Sequence, residues 1–233
     1  MTAIVLFMAC VGAIAGWWLS HQRLMAKPWL EEGVIGDMPA ERSSLPVAKI
    51  GLGIFFVVVG SLFTLVISAY SVRMDLADWQ TVPIPKLLWF NTGVLVLSSV
   101  ALELAKAAAR RGDRDGVRTG LLAGGVAAVI FLIGQLLAWQ QLRTAGYPLS
   151  GNPANSFFYL ITGLHGLHIA GGLVALGRAI AKGYGSAPML KLRASVELCT
   201  MYWHFLLVIW LILLGLLTGQ ADELLKICHQ WLG

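Results

Sequence analysis

The sequence predicts an all-α, polytopic transmembrane helix bundle of six spans with both termini on the periplasmic side. Three observations lead there. Hydrophobic residues make up 58% of the chain and charged residues only 12%, against roughly one quarter charged in soluble domains. Nearly uninterrupted apolar runs recur at 3–19, 50–70, 87–105, 117–139, 157–177 and 196–217, each near the ~20 residues that cross ~30 Å of hydrocarbon as a helix. The basic residues alternate between successive connections, as the positive-inside rule requires. Period-2 alternation is absent from all six runs, which disfavours a β-barrel, and backbone groups in lipid must be satisfied within helices.

The first run, 3–19, lacks a basic leading region, and "GWWLSHQR" is a poor cleavage site, so it reads as a retained helix rather than a secretory signal. The connection "KPWLEEGVIGDMPAERSS" (27–44) carries Pro28, Pro39, Gly33 and Gly36 and reads as an irregular cytoplasmic loop. It divides the chain into an extra amino-terminal helix with its loop, 1–48, and a five-helix bundle, 49–233, joined by the short connectors of antiparallel neighbours. Arg23, Lys27 and Arg42 lie in the first connection, Lys106, Arg110, Arg111, Arg114 and Arg118 around the third, and Lys182, Lys191 and Arg193 around the fifth. The second and fourth offer only Arg73, Lys86 and Arg143. This distribution accounts for the net charge of +5 with no nucleic-acid partner.

In the run at 117–139, Gly120, Gly124 and Ala128 lie on one face and predict close helix approach. Trp17, Trp18, Trp79, Trp89 and Trp139 stand near run ends, where indoles anchor at headgroup level. Cys10, Cys199 and Cys228 show no C-x-x-C spacing and imply neither a disulfide framework nor a zinc site. Glu103 and Lys106 are spaced for a local ion pair at the cytoplasmic interface. Asn91, Thr92 and Gln135 are expected to make interhelical hydrogen bonds.

Polar side chains concentrate in the last two runs. "FFYLITGLHGLHIAGG" (157–172) carries His165 and His168, roughly 13–18 Å along its helix, and His204 in "YWHF" is about 16 Å along the next. Three imidazoles can thus share one layer. His165 and His168, three apart, can point at a common partner, and Glu197 and His204, seven apart, share a face. Such a seam can ligate haem or metal, carry protons, or form an interhelical network that shapes a cleft. An i, i+3 histidine pair is not itself a ligand set, and a carrier route would want more acids than Glu197 and Glu103. The network is the favoured reading.

At these residues the sequence resembles subunit III of the haem–copper oxidases, the cytochrome c and quinol oxidase complexes. The TGxHGLH element and the YWHF…W element of "VELCTMYWHFLLVIWLILL" (196–214) carry the resemblance, in the family's order and separation. It extends back through "FLIGQLLAW" (131–139), "PKLLWFNTGVLVLSS" (85–99) and "SLFTLVISAY" (61–70), from about Lys49 to Gly219. It implies that His165, His168, Glu197, Trp203 and His204 belong to a polar network around a lipid-holding cleft, and that Arg178 and Arg193 meet lipid phosphates. It also implies no haem or copper in this chain, bound phospholipid, and haems and copper in partner subunits I and II. Three positions where many members carry an acid hold Val58, Ala138 and Leu207, so packing, lipid retention and oxygen access are stronger expectations than proton conduction.

The expected function is therefore an accessory, redox-inactive subunit of a proton-pumping terminal oxidase in a bacterial inner membrane. The alternatives are an accessory subunit of a nitric oxide reductase system, which shares these helix motifs, a small transporter using the histidine layer, and a bis-histidine membrane cytochrome.

Overall fold

The computed structural model describes residues 47–74, 76–185 and 188–219. These form five helices of membrane-spanning length and composition and contain no strand: α1 (Val47–Met74), α2 (Leu87–Arg111), α3 (Arg114–Thr144), α4 (Pro153–Tyr184) and α5 (Met189–Leu217). The run at 3–19, the connection 27–44 and both termini lie outside the described residues, and with them the sixth span and the amino-terminal part of the proposed division.

Each helix outruns its apolar segment, and defined caps end α2 and start α3 and α4. α2 ends at Gly112, whose φ of 78° is left-handed. The Gly112 and Asp113 amides return to the carbonyls of Ala109 and Ala108, the Schellman arrangement. Asp113 then caps α3, its Oδ1 accepting from the Gly116 amide at 3.0 Å. With only these two residues between them, α2 and α3 form a tight antiparallel hairpin. α4 starts at Pro153 behind the cap Asn152, whose Oδ1 accepts from the Ala154 amide at 3.0 Å. Asn152 Nδ2 also donates to the Gln80 carbonyl at 2.7 Å, tying the α3–α4 and α1–α2 connections together.

α2, α3, α4 and α5 pack as a four-helix bundle around Leu95, Leu102, Leu121, Phe131, Ile169, Trp203 and Trp210, all fully buried. The α2–α3 contact is the closest because glycine lines it. A β-carbon at Gly120 would meet Ala105 Cβ at 2.7 Å and the Ala101 carbonyl at 2.9 Å, and one at Gly124 would meet Leu102 Cγ at 2.9 Å. α1 is different: among the described residues it rests chiefly on α4 and α5, through Val59 and Phe63 against Ile161, Leu213 and Leu216.

The α2–α3 turn and the α4–α5 connection meet at one end, where Arg118 Nε donates to the Gly183 carbonyl at 2.9 Å and Arg114 to that of Gly185 at 3.3 Å. At the opposite end Tyr70 meets Trp79 and Phe157 edge to face, at centroid separations of 5.0 and 5.7 Å, and Trp79 and Phe157 lie tilted at 6.1 Å. There Arg73 Nη1 donates to Asp78 Oδ1 at 2.6 Å.

Candidate functional site

Inside the bundle the polar side chains pair helix to helix. Trp203 Nε1, fully buried on α5, donates to Ser98 Oγ of α2 at 2.9 Å, and that hydroxyl donates to the Gly124 carbonyl of α3 at 2.7 Å. One chain of two bonds therefore joins three helices. Trp210 Nε1 donates to Thr92 Oγ1 at 2.9 Å, and Thr200 Oγ1 to the Leu102 carbonyl at 3.2 Å, fixing α5 on α2 at two further levels. Asn91 Nδ2 donates to Gln135 Oε1 at 2.9 Å between α2 and α3. Trp139, expected at headgroup level, turns inward instead and donates to Thr162 Oγ1 at 3.0 Å. Its single N–H is satisfied within the bundle, which suits an indole whose rings are half-buried.

The expected seam of His165, His168, Glu197, Trp203 and His204 is not one hydrogen-bonded network among the described residues. His165 is fully buried and packs as a ring, with centroids of Trp210 at 5.0 Å, Phe131 at 5.9 Å and Phe63 at 6.3 Å. Neither of its nitrogens has a hydrogen-bond partner among the described residues. His168 is half-buried, its Nδ1 2.8 Å from the Leu164 carbonyl and its ring 5.4 Å from that of Phe63. The two imidazoles do share a partner, but it is the apolar ring of Phe63.

His204 shares neither their direction nor the level of His165, which packs on Trp210, six residues further along α5 or about 9 Å. Successive helical residues turn by about 100°, so with Trp203 aimed into the core His204 emerges on the outer face, exposed. Glu197 is half-exposed and meets Lys49 of α1, Nζ to Oε1 at 2.7 Å, rather than His204. Lys106 and Arg110 of α2 add positive potential at its carboxylate. Lys106 also pairs with Glu103 at 3.0 Å, at the exposed interface position read from the sequence. Arg178 and Arg193 are both exposed.

A groove of about 540 Å³ opens where α1, α4 and α5 meet. Leu52 and Phe55 form one wall, Leu198, Cys199 and Tyr202 another, and His168 with Gly171 and Gly172 the floor. Two glycines make the floor for different reasons. At Gly172 a β-carbon would strike Tyr202 Cε1 at 2.6 Å, so its absence lets that ring lie flat on α4 and donate its hydroxyl to the His168 carbonyl at 2.8 Å. At Gly171 no atom comes within 4 Å of where a β-carbon would stand, and the space is open. The lining is almost wholly apolar, a shape and chemistry suited to an acyl chain. No group of three or more His, Cys, Asp or Glu side chains gathers at a common point among the described residues.

Sequence reasoning missed Lys49 as the partner of Glu197, Thr200 and Thr162 as interhelical hydrogen-bonding groups, and the bridging role of Ser98. Ser98 did fall inside the quoted "LVLSS" segment. Thr162 and Thr200 likewise fall inside the quoted TGxHGLH and VELCTMYWHF segments, but no spacing marks their partners, because each lies on another helix.

Comparison with known proteins agrees with this architecture. A probable cytochrome c oxidase subunit 3 of Mycobacterium bovis is 31% identical over 140 residues, 60% of this chain and 65% of the relative. The cytochrome c oxidase subunit 3 of Synechocystis sp. is 30% identical over 172 residues, 70% and 71% of the two chains. That of Thermostichus vulcanus is 34% identical over 131 residues, 54% and 62%. The chain thus spans about 65% of the length of its mycobacterial relatives. The family model described as cytochrome c oxidase subunit III matches residues 48–217, which takes in nearly the whole of all five helices and the groove between them, and the chain belongs to the cytochrome c oxidase subunit III family.

Proposed function

We propose that this chain is an accessory, redox-inactive subunit of a proton-pumping haem–copper terminal oxidase of aerobic respiration. It stabilises the catalytic subunit I alongside subunit II, holds phospholipid in the α1–α4–α5 groove, and supports oxygen access and sustained turnover. The haems and copper belong to the partner subunits. The observation that carries this reading is the family match across residues 48–217, which contains every residue lining the groove.

The chemistry of the groove supports a lipid rather than a polar substrate. An acyl chain gains about 0.8 kcal/mol per buried CH₂, and the wall offers little but aliphatic and aromatic surface. Arg178 and Arg193, exposed at the basic end of α4 and α5, suit lipid phosphates at the headgroup boundary. By the positive-inside rule that end faces the cytoplasm of a bacterial cell. Val58, Ala138 and Leu207 leave the interior without the acids a proton route would use, which supports assigning proton transfer to the partners.

Purification of the tagged chain from native membranes in mild detergent tests the reading. Haem–copper subunits with oxygen uptake are the expected co-purifying material. Partners that reduce nitric oxide would move the chain to the reductase systems, and a colourless chain without such partners would overturn the proposal.

A further inference from the structure

We infer that the Lys49–Glu197 ion pair is a latch that fixes α1 over the groove. α1 is the least anchored of the five described helices, its main contacts being with α4 and α5. Its contacts are apolar or aromatic: Phe56 stacks on Phe205 at 4.3 Å, Phe63 lies against His168, and Tyr70 against Phe157 at 5.7 Å. Apolar side chains do not hold a helix firmly against a neighbour in lipid, because the lipid tails offer the same contacts. Across that interface Lys49 Nζ donates to Glu197 Oε1 at 2.7 Å, a directional bond between α1 and α5.

Its position gives it a consequence for the groove. Lys49 stands one turn before Leu52, and Glu197 immediately precedes Leu198 and Cys199, so the pair borders the two walls at the basic end. Both side chains are about 30% exposed, 29% for Lys49 and 31% for Glu197. The pair is therefore neither a solvated surface contact nor a sealed core one. Separating it would leave an ammonium and a carboxylate at the edge of hydrocarbon, so α1 swings away only when both charges find other partners. The latch deepens the lipid-groove reading and rests on it for its purpose, though not for its existence.

Pulsed electron paramagnetic resonance on the full chain in nanodiscs tests it, with spin labels on α1 at Val57 and on α4 at Val174, both exposed, in a background where the native cysteines are serine. The wild-type pair should give a single narrow distance distribution. Glu197→Gln and Lys49→Met should each shift it to longer distances and broaden it, and the exchanged double variant Lys49→Glu/Glu197→Lys should restore the narrow peak. Unchanged distributions in the single variants overturn the latch, as does an exchanged variant that behaves like the singles. Phospholipid retained per chain is counted in the same samples. A distance that responds while retained lipid stays constant supports the latch and counts against the lipid-groove reading.

Discussion

Replacing Gly120 with alanine adds one methyl group where α2 and α3 are closest. Its β-carbon would stand 2.7 Å from Ala105 Cβ, 2.9 Å from the Ala101 carbonyl oxygen and 3.0 Å from Ala105 Cα. Carbon atoms rest at about 3.5–4.0 Å, so the helices must part by about 1 Å, and two of the three obstacles are backbone that cannot rotate away. Overpacking of this kind costs about 1–3 kcal/mol. The separation also stretches the 2.7 Å bond from Ser98 Oγ to the Gly124 carbonyl, in a setting where interhelical hydrogen bonds average ~0.6 kcal/mol. Against this stands the helix propensity of alanine, at most about 1 kcal/mol over glycine. The net expectation is a loss of about 1–2 kcal/mol. Gly93→Ala supplies the control: it lies on the exposed face of α2 with no atom within 4 Å, so only the propensity gain applies. Gly124→Ala should fall between them, since it meets Leu102 side-chain atoms that can turn aside. Reversible unfolding of the purified chain in mixed micelles by SDS titration measures all three. Equal stability of the Gly120 and Gly93 variants would refute the packing described.

A double-mutant cycle with Asn91→Ala and Gln135→Ala should show coupling of about 0.6 kcal/mol, with ~1.7 kcal/mol as the upper range for such pairs; no coupling in the same unfolding assay would mean that the 2.9 Å bond is not made. The hydrogen bond and charge of Arg73 hold the Asp78 carboxyl below the usual carboxylate range. This contact is therefore present above the ordinary carboxylate pKa and is lost only as pH falls through the lowered one. Amide protection in the 76–86 connection, taken relative to the intrinsic exchange rate at each pH, should fall on acidification in that window, and Asp78→Asn should remove that step. At Gly171 a β-carbon has no atom within 4 Å, so Gly171→Leu begins in open space and projects its side chain into the groove; the variant should fold and retain less phospholipid by mass spectrometry. In the isolated oxidase, His204→Ala should leave the haem spectrum unchanged and shorten the number of turnovers before inactivation.

The five described helices were legible because hydrophobic length is a one-dimensional property. Their ends were not: α5 begins at Met189 and α4 runs to Tyr184, beyond apolar runs at 196–217 and 157–177, because the amphipathic ends of membrane helices continue through the headgroup layer. The site was half legible. Depth along one helix follows from counting residues, but levels on two helices also depend on their register: counting put the three histidines in one layer, whereas His165 packs beside Trp210, six residues beyond His204. Direction around the axis depends on which neighbour each face meets, and it separated His204 from His165. Glu197 illustrates the same limit, since its partner Lys49 lies 148 residues away on a helix that spacing does not mark as a neighbour. Asn91 and Gln135 were each expected to bond across helices, but their pairing with one another emerged only from the α2–α3 register.

The two-residue turn between α2 and α3 also sets an order of events at the ribosome. Loop closure is least demanding for the shortest connection, and α2 and α3 precede α4 and α5 in the chain, so the two helices of this hairpin are the first of the four-helix bundle to leave the ribosome. The acceptors that α5 later uses, Ser98 Oγ, Thr92 Oγ1 and the Leu102 carbonyl, all stand on α2. When Trp203, Trp210 and Thr200 enter the membrane, they meet a template already in place, and the last helix is read into register by three donors spaced along one face.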